Sequence, residues 1–152
     1  MVAATVFNEL VSTLRENPTL KEYVNNVFKS MRYEIEPDSY PCIMCEVMGN
    51  NEIEKDFGQI KKIWLNVMLY AFVKSPADPD YAIVGQKDYG YYGVLNIEND
   101  IRACLQSSYS LGDNVEDLRI EPTKVRPFEM DGILYRGVEI PVKILYKQTD
   151  GA

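Results

Sequence analysis

The chain contains no histidine. That absence removes Ser-His-Asp and Cys-His nucleophilic catalysis, HExxH zinc chemistry and the usual acid-base group at neutral pH. No apolar run approaches the roughly 18 residues of a membrane span. The opening stretch MVAATVFNELVSTLREN carries acid and amide groups instead of a basic stretch leading into an apolar one, so a soluble, unprocessed protein is expected. Three cysteines, an odd number, suit a reducing compartment in which they serve as small apolar side chains. Basic residues are outnumbered 16 to 23, giving a net charge of −7 and a pI near 4.7. Phosphate neutralisation needs clustered Lys and Arg, so sequence-specific binding of nucleic acid is not expected. What remains is ordinary: 152 residues, 46% apolar and 26% charged, consistent with a single domain over 1–152 that needs no metal or disulfide.

The apolar positions Val6, Phe7, Leu10, Val11 and Leu14 recur at the spacing of one helical face, and Asn17-Pro18 breaks the pattern. Leu20, Tyr23, Val24, Val27, Phe28 and Met31 read as a second helical stripe, with Thr19 as its cap. Past Glu34, Glu36, Pro37 and Asp38, the run Tyr40 to Met48 reads as a strand ending at Gly49-Asn50, followed by an acidic turn from Asn50 to Gly58. Ile60 to Val73 is the longest strand signal. Residues 74–93, with two prolines, three glycines and four tyrosines, read as a long loop that is mobile or functional. A helix then places Val94, Leu95, Ile97, Ile101, Cys104, Leu105 and Ser108 on a buried face. Val115 to Arg126 and Ile133 to Lys147 read as a hairpin joined through Pro127 and the Asp131-Gly132 turn. In the last strand Leu134, Val138, Ile140, Val142 and Ile144 oppose Glu139, Lys143 and Lys147. This order predicts an α+β fold, a four-stranded antiparallel or mixed sheet with helices packed mainly on one face.

Each motif that hints at chemistry has a plainer reading. Cys42-Ile43-Met44-Cys45 has CxxC spacing, but positions i and i+3 of a strand point to opposite faces, so the sulfurs can neither join nor share a metal, and two buried core cysteines are expected. Asp78-Pro79-Asp80 and the group Glu52, Glu54, Asp56 lack the glycine and terminal glutamate of a calcium loop and read as solvated turns. Gly85, Gly90 and Gly93 match neither phosphate-loop spacing and read as hinges. No metal, cofactor or catalytic residue is expected. Tyr81, Tyr89, Tyr91 and Tyr92 are not interleaved with cations as a base-stacking surface would be. Contact with a protein partner competes there with packing on the loop itself.

The strand from Ile60 to Val73 carries the most information. Its odd positions from Ile63 to Val73 are aliphatic, and its even positions read Trp64, Asn66, Met68, Tyr70 and Phe72, so neither face is charged. The helices cover one face, with Ile63, Leu65, Val67 and Leu69 expected against Leu10, Leu14, Ile101 and Leu105. Trp64, Met68, Tyr70 and Phe72 are left for another copy or another protein, unless a second layer of the same chain covers them. The candidate subunit interface is therefore Trp64, Met68, Tyr70 and Phe72, with Tyr89, Tyr91 and Tyr92 of the loop.

In its order of elements the chain resembles the tail terminator, or tail-completion, proteins of tailed bacteriophages. The likeness runs through the amphipathic start (Phe7 to Met31), Tyr40-Pro41-Cys42-Ile43, and the loop ending Gly90-Tyr91-Tyr92-Gly93. It continues through the helix Ile97 to Leu105 and the closing strand Gly137 to Ile144. The resemblance covers nearly all 152 residues and carries no diagnostic site residue. It implies a structural protein, not an enzyme: a ring, commonly of six subunits, that caps the finished tail tube, halts its polymerisation and meets the head connector. Its place would be the head–tail junction of the virion, after assembly in the host cytoplasm, with itself, the tail tube protein and the connector protein as partners and no membrane. Two other readings stand beside it: a head-completion or neck protein, and a small-molecule binding module with the tyrosine loop as lid.

Overall fold

A computed structural model describes residues 3–32, 40–56, 60–74, 81–86, 90–108, 111, 115–130 and 133–149. In chain order these form α1 (Ala3–Glu16), α2 (Pro18–Lys21), β1 (Asn26–Phe28), β2 (Cys42–Asp56), β3 (Ile60–Lys74), α3 (Tyr81–Val84), α4 (Val94–Ser107), β4 (Asp117–Ile120), β5 (Lys124–Met130) and β6 (Ile133–Thr149). The class is α+β, as the sequence predicts, but the described residues form a mixed sheet of six strands where four were expected. Its order is β1-β2-β3-β6-β4, with β5 also pairing β6. β1 runs parallel to β2, and every other pairing is antiparallel. No helix among the described residues is long and apolar enough to cross a membrane.

The first extra strand comes from the stripe read as a second helix. Asn17 caps α2, its Oδ1 accepting the Leu20 N–H at 3.0 Å, and Pro18 fills the first helical position where no N–H is needed. Thr19 is therefore inside the helix and does not cap it. One turn later the helix stops: the Tyr23 and Val24 N–H groups both return to the Leu20 carbonyl, and Asn25 N–H donates to the Pro41 carbonyl at 2.9 Å. Asn26, Val27 and Phe28 then align with Cys42, Ile43 and Met44. A distant strand outweighs the local period here, aided by two asparagines of low helix propensity.

The second extra strand comes from a break in the predicted hairpin. β4 and β5 lie end to end along the same side of β6, with a one-residue change of register between Ile120↔Val142 and Lys124↔Glu139. Pro127 is not part of the connection. It sits inside β5 opposite Arg136, where an edge strand tolerates a missing donor. The Asp131-Gly132 turn lies outside the described residues. β2 also continues past Gly49, through register shifts at Val47/Gly49 and Glu52/Glu54, so Asn50 to Asp56 is strand and not an acidic turn.

The core lies between the helices and one face of the sheet. Ile63, Leu65, Val67 and Leu69 share a single buried cluster with Leu10, Leu14, Ile101 and Leu105, as the stripes predict. The α1 stripe Val6, Phe7, Leu10, Val11 and Leu14 is wholly buried. Leu95 and Ser108 depart from expectation, since Leu95 is 44% exposed and Ser108 caps the C-terminus of α4. Cys42 and Cys45 point to opposite faces, Cys45 into this cluster and Cys42 into a second one with Tyr40, Met44, Phe72 and Tyr135. Burial pushes the thiols of Cys42 and Cys45 up to about 12 and that of Cys104 up to about 11, partly offset by Arg15 at Cys45 and by a hydrogen bond with Asn17 at Cys104.

Candidate functional site

The side of the sheet opposite the helices has two halves. Near the start of β2, the chain covers its own face: Tyr40 stacks on Tyr135 at 4.3 Å, Phe128 meets Phe72 edge-on at 4.9 Å, and Phe28, Met31 and Tyr70 pack around them. Glu46 fixes this cover by accepting the Met31 N–H at 3.0 Å. Gly137 makes it fit, because a Cβ there would stand 2.5 Å from a Phe128 ring carbon and 2.9 Å from one of Phe72. Phe72 is consequently 1% exposed, and it is not on the open surface where the sequence places it. The second layer that competed with an interface in the sequence is present over this half.

The other half is open. Trp64, Asn66, Met68 and Tyr70 of β3 and Pro141, Lys143 and Leu145 of β6 are half-buried, side by side in register. The Arg119 guanidinium lies 5.0 Å from the centroid of the Trp64 ring and is held there by Asp117, whose Oδ2 accepts from Nε at 2.9 Å. Ion pairs frame the patch: Lys143–Glu121 at 3.5 Å, Lys147–Glu116 at 3.1 Å, Lys62–Glu116 at 3.8 Å and Arg126–Glu139 at 2.7 Å. The Asn66 side-chain oxygen in the middle is buried without a hydrogen-bond partner. Apolar area ringed by satisfied charges, with an unfilled acceptor at its centre, can bind another surface.

The loop tyrosines divide differently. Tyr92 lies flat on Tyr23, with centroids 3.8 Å apart, and Tyr23 Oη donates to Asp100 Oδ2 at 2.7 Å. Tyr91 stays 47% exposed, bridged by backbone hydrogen bonds to Gln86 and lying 6.2 Å from Tyr81. Tyr89 lies outside the described residues, as does Asp78-Pro79-Asp80. The predicted loop also contains α3. Gly85 crosses Gly93 so closely that a Cβ on Gly93 would stand 2.5 Å from the Ile83 carbonyl oxygen. At Gly85, whose φ is +70°, the turn itself requires glycine.

The structure thus brings Trp64, Met68 and Tyr70 together, buries Phe72 and puts Tyr91 and Tyr92 elsewhere. Pro141 and Leu145 belong with the first three and were legible in the alternation of the last strand. Arg119 was not, because its place depends on how β4 registers on β6. Among the described residues, no group of three or more Cys, Asp and Glu could hold a metal ion. A groove of about 260 Å³ between α4 and β4, lined by Arg102, Leu105, Gln106, Leu118 and Ile120, is smaller than the roughly 300–1,000 Å³ of ligand pockets. No protein-family model matches the chain, and no curated protein matches it.

Proposed function

We propose that this chain is a structural assembly subunit of the kind that caps a phage tail tube as an oligomeric ring, ends tube growth and joins the tube to the head connector. The observation that supports it is the open half-face built on Trp64, Met68, Tyr70 and Leu145. A lone subunit holds this area half in water, and covering it returns about 25 cal/mol for each Å² of apolar surface. The ion pairs at its margin suit a polar rim. Its partners are further copies of itself, the tube protein and the connector protein, at the head–tail junction of a virion, and no step requires a cofactor or a catalytic group.

A head-completion or neck protein would use the same surface. The small-molecule reading has less support, because a lid must swing, whereas Tyr92 is stacked on Tyr23 and Gly85 is locked against Gly93. The test is to add the purified chain to polymerising tail tube protein and measure tube lengths and particle mass. The proposal expects a ring-sized particle and tubes that stop growing when it binds. A monomer that leaves tube length unchanged but retains a small ligand overturns it in favour of the binding module.

A further inference from the structure

β4 uses only one side of its backbone. Glu121 N–H donates to the Pro141 carbonyl at 2.9 Å, so in the alternating antiparallel ladder Asp117, Arg119 and Glu121 turn their amide groups toward β6, and Leu118 and Ile120 turn theirs outward. Among the described residues β4 pairs with β6 alone, which leaves the outer side without a strand. Asp117 Oδ1 accepts the Leu118 N–H there at 2.9 Å. The Leu118 carbonyl and both the N–H and the carbonyl of Ile120 have no hydrogen-bond partner among the described residues. Leu118 and Ile120 are half-buried and form, with Arg102, Leu105 and Gln106 of α4, the groove of about 260 Å³ along this edge. α4 lies over β4 in the opposite sense: Glu98 accepts from Thr123 Oγ1 at 2.9 Å, past the end of the strand, and Leu105 lies further along the groove. Arg102, between them on α4, therefore stands at the Ile120 end. Its guanidinium makes one hydrogen bond among the described residues, from Nη2 to Glu98 Oε1 at 3.2 Å, and that oxygen also takes the Thr123 hydroxyl. Its other N–H groups remain open to an acceptor in the groove.

We propose that this edge takes an extended segment of a partner protein as an added antiparallel strand, with an acidic side chain opposite Ile120 and an apolar one two residues later, opposite Leu118. The open groups select an extended backbone. An antiparallel partner exchanges both hydrogen bonds with Ile120 through a single residue, which a parallel one cannot do. The groove selects the side chains. Those of the partner residues opposite Ile120 and Leu118 point to the same side of the sheet as Ile120 and Leu118 themselves, into the space under α4. Charge complementarity settles the first of them, because a carboxylate there meets the unused donors of the Arg102 fork. The second meets Leu105 and Leu118 and is apolar. A groove too small for a ligand pocket is sufficient, since only alternate side chains of the added strand enter it. Asp117 restricts the pairing: by holding the Leu118 N–H it confines the two-way exchange to Ile120 and discourages indiscriminate strand addition along the edge. The site lies apart from the open half-face and stands whether or not the chain forms a ring.

The probe is the peptide acetyl-Ser-Thr-Glu-Thr-Val-Thr-Ser-amide, titrated into the protein and followed by amide chemical shifts and amide hydrogen exchange. Binding should saturate, shift the resonances of β4 and α4, and slow exchange at Ile120. Methylating the backbone nitrogen of the peptide's glutamate removes the donor to the Ile120 carbonyl and should weaken binding about tenfold or more, the effect of losing one backbone hydrogen bond. Replacing that glutamate by glutamine should weaken it several-fold on the wild type and not at all on Arg102→Gln, whose folding circular dichroism establishes. Absence of saturable binding, shifts that fall outside β4 and α4, or binding indifferent to N-methylation would overturn strand addition. Equal affinity of the glutamate and glutamine peptides for the wild type would overturn the acidic partner. An Ile120 amide already protected without peptide, increasingly so as protein concentration rises, would show that another copy of the chain fills the edge and would overturn the proposal as well.

Discussion

Tyr23 and Tyr92, 69 positions apart in sequence, stack with their rings 3.8 Å apart and within 3° of parallel. The contact ties the residues that open α4 to the segment between α2 and β1, and the bond from Tyr23 Oη to Asp100 anchors it to α4 as well. Stacking of this kind contributes about 0.5–1.5 kcal/mol beyond the area it buries, and a net hydrogen bond about the same. Tyr23→Phe should therefore lower unfolding stability by roughly 1 kcal/mol, and Tyr92→Ala by more, as read from urea midpoints. A Tyr92→Ala variant as stable as the wild type would show that the stack does not hold the segment.

The same tyrosine and the thiols predict alkaline weakness. Burial, then Asp100, raises the Tyr23 hydroxyl above its ordinary range, and burial holds Cys42 and Cys45 up to about 12 and Cys104 up to about 11. In the unfolded chain these groups ionise near pH 9 to 10 while the folded chain keeps them neutral. Stability is fully present below pH 9 and falls as pH rises toward the folded values. Thermal melts should lose several degrees between pH 8 and pH 10.5. At pH 8 thiol reagents should label the cysteines only at the rate of unfolding, and fast labelling of the native protein would contradict their burial.

Core substitutions separate the two faces of β3. Leu65→Ala should cost about 2–5 kcal/mol and Phe72→Ala about 3–5 kcal/mol, since both leave cavities among packed side chains. Met68→Glu should leave the isolated subunit folded, because in a free subunit that side chain reaches water. If Met68→Glu unfolds the chain as badly as Phe72→Ala, the face at Met68 is not open.

Periodicity made α1, α4, β3 and the helix-facing side of β6 legible, because each buries one uninterrupted stripe. It failed for Leu20 to Met31, where spacings of three and four suit a helix but Asn26, Val27 and Phe28 are claimed by Cys42 to Met44 of a strand reached only later in the chain. It also stopped β2 at Gly49, where a bulge carries the strand onward. For the candidate surface, alternation marked Trp64, Met68 and Tyr70 as one face but could not say which end of that face the chain seals. Phe72 was lost to Phe128, a residue read as lying near a turn, and Gly137 holds the space that allows it.

The sole tryptophan, Trp64, sits on the open half-face and reports directly whether that face becomes covered. Acrylamide quenching of its fluorescence, followed from dilute to concentrated protein alongside particle mass and then with tail tube protein added, is the most direct measurement. The account predicts that quenching falls several-fold, with a blue-shifted emission, as the assembled particle meets its tube. Quenching that stays the same in the monomer, in the ring and on the capped tube would contradict it.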